Sequence, residues 1–132
     1  MISLILVCLA GVAKAFMDIS AHGKPFWFMS LDNNKSNYHH YPKYDWWYMD
    51  LSWRYKYKNN DPSQGPRFLF STTALSFLCD GWHLFQFFFL NLMIAAIVCY
   101  KPIVNGLVDF LILSATLKIT FELFYSRILV KK

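Results

Sequence analysis

The stretch LSFLCDGWHLFQFFFLNLMIAAIVCY, Leu75 to Tyr100, decides how this chain is read. From Leu84 onward it has no polar side to turn toward water. A helix of roughly 17–25 apolar residues crosses a hydrocarbon core about 30 Å thick. Leu84 to Tyr100, with an apolar extension back to about Phe68, meets that length. Yet the run opens on Asp80, Gly81, Trp82 and His83, two of them ionisable and one a weak helix former.

Two further apolar runs flank it. Ile2 to Met17 is short for a span, but its helix can continue to His22, where Gly23 and Pro25 supply a stop. Ala13 to Ala15 faintly matches a signal-peptidase site. No basic residue precedes the run, so a retained helix is expected. Ile103 to about Phe124 is the third run, and only Lys101 and Pro102 separate it from the second. So short a link predicts an antiparallel helical hairpin.

Composition agrees with membrane residence. The 132 residues are 56% hydrophobic and 16% charged, against about 25% charged in soluble domains. The expected fold is therefore all-α: a polytopic membrane protein with three transmembrane helices and an aromatic-rich loop. Its parts are helix 1 in 1–23, the loop in 24–68, a long helix in 69–100 containing helix 2, and helix 3 with a basic tail in 103–128. Cys8, Cys79 and Cys99 are an odd set without a CxxC pair, and read as small buried hydrophobes.

Charge sets the expected orientation. Lys24, Lys35, Lys43, Arg54, Lys56, Lys58 and Arg67 in the loop, and Arg127, Lys131 and Lys132 in the tail, fall on one side of three spans. The other side keeps Lys101. The positive-inside rule puts the N-terminus outside and the loop and C-terminus in the cytoplasm of a cell (inner) membrane.

The loop is dense in Trp and Tyr, which favour the headgroup layer. Trp53-Arg54-Tyr55-Lys56-Tyr57-Lys58 alternates strictly. An extended chain would place Trp53, Tyr55 and Tyr57 on one face and Arg54, Lys56 and Lys58 on the other. Trp53, Arg54, Tyr55, Lys56 and Lys58 are thus candidate contacts to anionic lipid headgroups, or simply an interfacial edge. Stacking on single-stranded nucleic acid fits the same pattern less well.

The ionisable residues of the three runs fall at one depth. Counted inward from the outer ends, Asp18, Asp80, His83, Lys118 and Glu122 lie about 22–30 Å down, near the cytoplasmic edge of the hydrocarbon. Lys14, Asp18 and His22 make one i, i+4 stripe, and Asp80 and His83 an i, i+3 pair that Thr73 and Ser76 would continue. One shared pocket is expected. Asp18, His22, Asp80 and His83 would ligate Zn, Mn or Fe, with Glu122 as ligand or catalytic base. Metal-assisted hydrolysis of a lipid-type substrate is the matching chemistry. Salt bridging of the same groups with Lys14 and Lys118 is the simpler alternative. Asp109 reads as an outer-leaflet helix contact beside Asn105 and Thr116. His39 and His40 would complete a site only if the loop folded under the bundle.

The pattern SWRYKYKNNDPSQGPRF, then STT, then DGWHLFQ, within Ser52 to Gln86, resembles small integral membrane proteins of Bacteroidetes-type bacteria and their phages. The resemblance implies a bacterial or phage origin and transfers no catalytic residue. The other reading of function is a non-enzymatic small subunit of a homo-oligomer or larger membrane complex, or a phage holin-like protein. Faces such as Phe85 to Phe89 would then pack against partners.

Overall fold

The computed structural model describes residues 1–29 and 42–130; His39, His40, Tyr38 and Tyr41 lie outside them. The fold is all-α, with helices α1 (Ile2–Ala21), α2 (Met49–Ser52), α3 (Gly81–Val98) and α4 (Gly106–Leu123). A π-helical turn, Phe124–Ile128, continues α4. Two isolated bridges, Phe26 with Val130 and Tyr57 with Pro66, are the only sheet-like pairings among the described residues.

Two helices, α1 and α3, are long and apolar enough to cross a membrane. The third expected span forms a helix, α4, but Asp109, Lys118 and Glu122 lower its apolar character, so three clear spans are not obtained.

Helix α1 is the hub. It packs on α3 along one side and on α4 along another, while α3 and α4 scarcely touch. The expected hairpin is therefore two helices splayed across a third. Small residues permit this. Ala10, Gly11, Ala13 and Ala15 are buried on α1. A Cβ on Gly11 would stand 2.9 Å from the Leu117 carbonyl oxygen and 3.0 Å from Thr120 Cβ. Only a glycine lets the backbones approach so closely. On the other side Phe16 stacks on Phe85, with ring centroids 4.2 Å apart. Ser3 Oγ donates to the Cys99 carbonyl at 3.0 Å and ties the start of α1 to the end of α3.

The start of α3 departs from expectation. Residues 69–79 are turns, with one 3-10 turn at Ser76–Leu78, and not a helical extension. Asp80 is the N-cap, so Thr73 and Ser76 continue no stripe. The opposite link is tied by Asp109, expected as a helix contact and found buried against the link itself. Its carboxylate accepts from Tyr100 Oη at 2.7 Å and from the amides of Ile103 and Val104 at 2.8 and 3.0 Å. Asn105 caps α4 by accepting from the Val108 amide at 3.0 Å. Cys79 is buried and Cys8 half-buried, but Cys99 is exposed, against expectation.

At the other end of the bundle an aromatic cap covers the helix termini. Ala15, Ile19, Phe26, Met29, Tyr48 and Leu129 form its core. Trp27 N donates to Leu129 O at 2.8 Å, and Tyr48 Oη donates to Lys24 O at 3.1 Å. Trp53–Lys56 is a 3-10 turn, so the alternation over Trp53 to Lys58 does not become a strand. Beyond it a small loop closes on itself, with Lys58 N on Gly65 O and Arg67 N on Lys56 O.

Two outcomes follow. Gly11→Leu forces α1 and α4 apart and should cost about 1–3 kcal/mol, read as an earlier thermal midpoint in detergent; Gly106→Ala, which meets open space, should leave the midpoint in place. At the loop tip, Asp61 accepts from Ser63 N, Ser63 Oγ and Gln64 Nε2. These bonds, the Ser63 amide first, hold its carboxyl below the usual range. The turn's extra stability is complete above the ordinary carboxylate pKa of about 4 and fades as pH falls through the lowered value. The protection factors of the Ser63 and Gln64 amides, referred to the intrinsic exchange rate at each pH, should therefore fall in acid, and protection that does not change with pH would contradict the assignment.

Candidate functional site

The structure divides the expected pocket in two. One half is the N-terminus of α3. Asp80, 2% exposed, has extended backbone and accepts from the His83 amide at 2.8 Å and from His83 Nδ1 at 2.7 Å. Asp is a strong N-cap because its carboxylate satisfies an orphan helix amide and faces the positive end of the helix. A carboxylate acceptor pairs with the His83 tautomer that carries its proton on Nδ1, in which Nε2 is the acceptor nitrogen. Gly81 lets this turn slide under Trp46, whose ring would lie 3.2 Å from an added Cβ. Trp82 meets His83 edge-on at 5.0 Å.

Behind the cap, buried Ser71 donates its Oγ to Lys56 O at 2.7 Å, and Cys79 Sγ lies 3.7 Å from Ser71 O. Burial first, and then the Asp80 charge, push the Cys79 thiol up. A buried protonated thiol is a structural residue and not a nucleophile.

The other half lies along α1 and α4. Lys14 pairs with the Asp18 carboxylate. His22 Nδ1 lies 2.6 Å from Asp18 O, and its ring meets Tyr125 edge-on. Lys14, Asp18 and Lys118 line one hollow with Ser114, Leu117 and Phe121. Glu122 bonds Ser126 and lines a separate hollow with Ile119, Leu123 and Arg127.

Asp18 and His22 therefore face the α4 side of α1, whereas Asp80 and His83 stand at the α3 side. Among the described residues, no three His, Cys, Asp or Glu side chains gather closely enough to hold a metal ion. The structure brings together Asp80 with His83, and Asp18 with Lys14 and His22; it does not bring the two sets together. Counting depth placed them at one end of the bundle. Depth carries no information on rotation about the helix axis, and there the one-pocket expectation fails.

The aromatic strip is also less uniform than its sequence. Arg54 lies over the Trp53 ring at 5.2 Å and Lys56 over the Tyr57 ring at 5.5 Å. Trp53, Arg54 and Tyr55 share a hollow with Asp45 and Asp50, so acidic groups interrupt the basic face. Partial burial, and then Asp45, push the Tyr55 hydroxyl up.

No protein-family profile, curated protein or solved structure matches this chain.

The cap yields a test. Asp80→Ala should cost about 0.5–2 kcal/mol in helix and protein stability, measured by thermal unfolding in detergent. The same variant should release His83 from its single tautomer, visible in the ¹⁵N shifts of the imidazole. A wild-type ring that already samples both tautomers would remove the Asp80–His83 assignment.

Proposed function

We propose that the chain is an integral membrane protein in which α1, α3 and α4 all lie in the bilayer, and that it serves as a non-enzymatic small subunit of a membrane assembly. One observation carries this reading: the outward faces of the long helices are apolar. Ile97, Val98, Leu107 and Ile119 are 67–78% exposed, and within α3 only Gly81 and Ala96 are buried. A soluble bundle would bury such faces.

The charges of α4 fit a bilayer when read one by one. Asp109 is satisfied three times within the chain, and Glu122 is bonded to Ser126 near the helix end. Lys118 is exposed and long enough to snorkel. The aromatic cap would lie in the cytoplasmic headgroup layer of a bacterial inner membrane, with the N-terminus outside, as the basic residues favour. The ionisable residues are used for capping, link closure and ion pairing, which supports a structural role.

A second reading keeps one observation in its favour. Asp80 holds His83 by Nδ1 and so leaves Nε2 unused by that contact, the arrangement of an oriented base or metal ligand. On this reading the chain is a hydrolase using Zn, Mn or Fe on a lipid-type substrate.

Three measurements test these readings. The protein should stay in the pellet after alkaline carbonate extraction. A maleimide that does not cross membranes should label Cys99 and an introduced Ser63→Cys from opposite sides. Labelling of both from one side would overturn the arrangement. Elemental analysis of protein purified without chelator separates the functions: a stoichiometric metal lost in His83→Ala would favour the enzyme, and none would favour the subunit.

A further inference from the structure

Because α3 and α4 pack on α1 and scarcely on each other, a groove of 390 Å³ opens between them. Its walls are Val7, Met93, Ala96, Ile97, Phe110 and Leu113. Ser114 and Leu117 line this groove and also the 350 Å³ hollow that holds Lys14, Asp18 and Lys118. The hollows thus adjoin at those two residues along a single side of α4, and together are called the channel. From Gly106 to Lys118 the helix rises about 18 Å.

The channel is apolar for most of its length and cationic at one end. Lys14 is paired with Asp18. Lys118 has no carboxylate within ion-pair distance among the described residues, and Glu122, one turn on, opens on the separate hollow with Arg127. This hollow therefore sets two lysines against one carboxylate, beside a hydrocarbon-lined groove. That combination suits an amphiphile with an acyl chain and an anionic head.

We propose that this channel holds an acyl chain of an anionic membrane phospholipid, with the phosphate on Lys118 and Lys14. The proposal rests on the reading that α4 lies in the bilayer, which gives lipid lateral entry between α3 and α4. A zwitterionic lipid would fill the apolar part equally well but gain little from the excess cation. A helix from a second copy could also fill the apolar part, and the test separates that outcome. Charge thus selects the anionic lipid.

The test is native mass spectrometry of the full chain, extracted after reconstitution into vesicles of equal phosphatidylglycerol and phosphatidylcholine. The wild type should retain phosphatidylglycerol in preference. Lys118→Gln should lower that preference about fivefold, and Ser114→Trp, which fills the groove from an exposed position, should abolish retention of both lipids. Equal retention of the two lipids, or an unchanged preference in Lys118→Gln, would overturn the lipid site while leaving a carbonate-resistant protein in the membrane. A lipid-free dimer that Ser114→Trp converts to monomer would assign the groove to a second copy. Release by carbonate would defeat the membrane reading itself, and the lipid site with it.

Discussion

Because α3 and α4 meet through α1, the packing of α1 has to serve two neighbours at once. One side solves this with small residues, so that the α4 backbone comes within contact distance of Gly11. The other side solves it with a stacked aromatic pair, Phe16 on Phe85. In a membrane setting the hydrophobic effect does not separate helix contact from lipid contact, so close approach and ring stacking must supply the difference. The exposed apolar faces, the splayed α3 and α4, and the channel between them all follow from one helix holding two others apart.

The polar residues of the bundle show a second regularity. Asp80 and Asn105 each close a helix N-terminus, and Asp109 gathers the link between α3 and α4. Helix N-termini are natural carboxylate sites because orphan amides and the macrodipole point the same way. A buried carboxylate would be costly if unpaired. Here each carries its own set of donors. This makes the apolar sequence tolerant of acids at its boundaries without requiring that they serve a reaction. It also explains why DGWH opens an otherwise uniform apolar stretch: Asp80 caps, Gly81 passes under Trp46, and His83 completes the hydrogen-bonded turn.

Much of this was legible in the sequence. The three long helices were, because apolar runs of that length read as helix even where Asp109, Lys118 and Glu122 break the third. The stop at Gly23 was legible, and Gly23 does adopt a positive φ of 63°. The ion pair Lys14–Asp18 follows from i, i+4 spacing. What escaped was rotational. Depth along a helix can be counted, but the direction a side chain faces depends on which neighbour the helix packs against. The residues 69–79 were read as helix on apolar content alone, although Asp80 followed by Gly81 is a boundary signal. The alternation of Trp53 to Lys58 suggested a strand because period two was weighed without a pairing partner. Two 3-10 turns took its place.

The aromatic cap binds residues far apart along the chain. Phe26, just after α1, bridges to Val130, and Leu129 is part of the same core. During synthesis Leu129 and Val130 are made after all three long helices. The cap therefore cannot seal until the helices have been made, although the ring neighbours of Phe26, Phe16, Phe28, Trp47 and Tyr48, are made early. The order of biogenesis is built into the contact itself: helices first, lid last. Any truncation upstream of Leu129 would leave a chain with its helices formed and its aromatic face open, a ready substrate for chaperones and quality-control proteases.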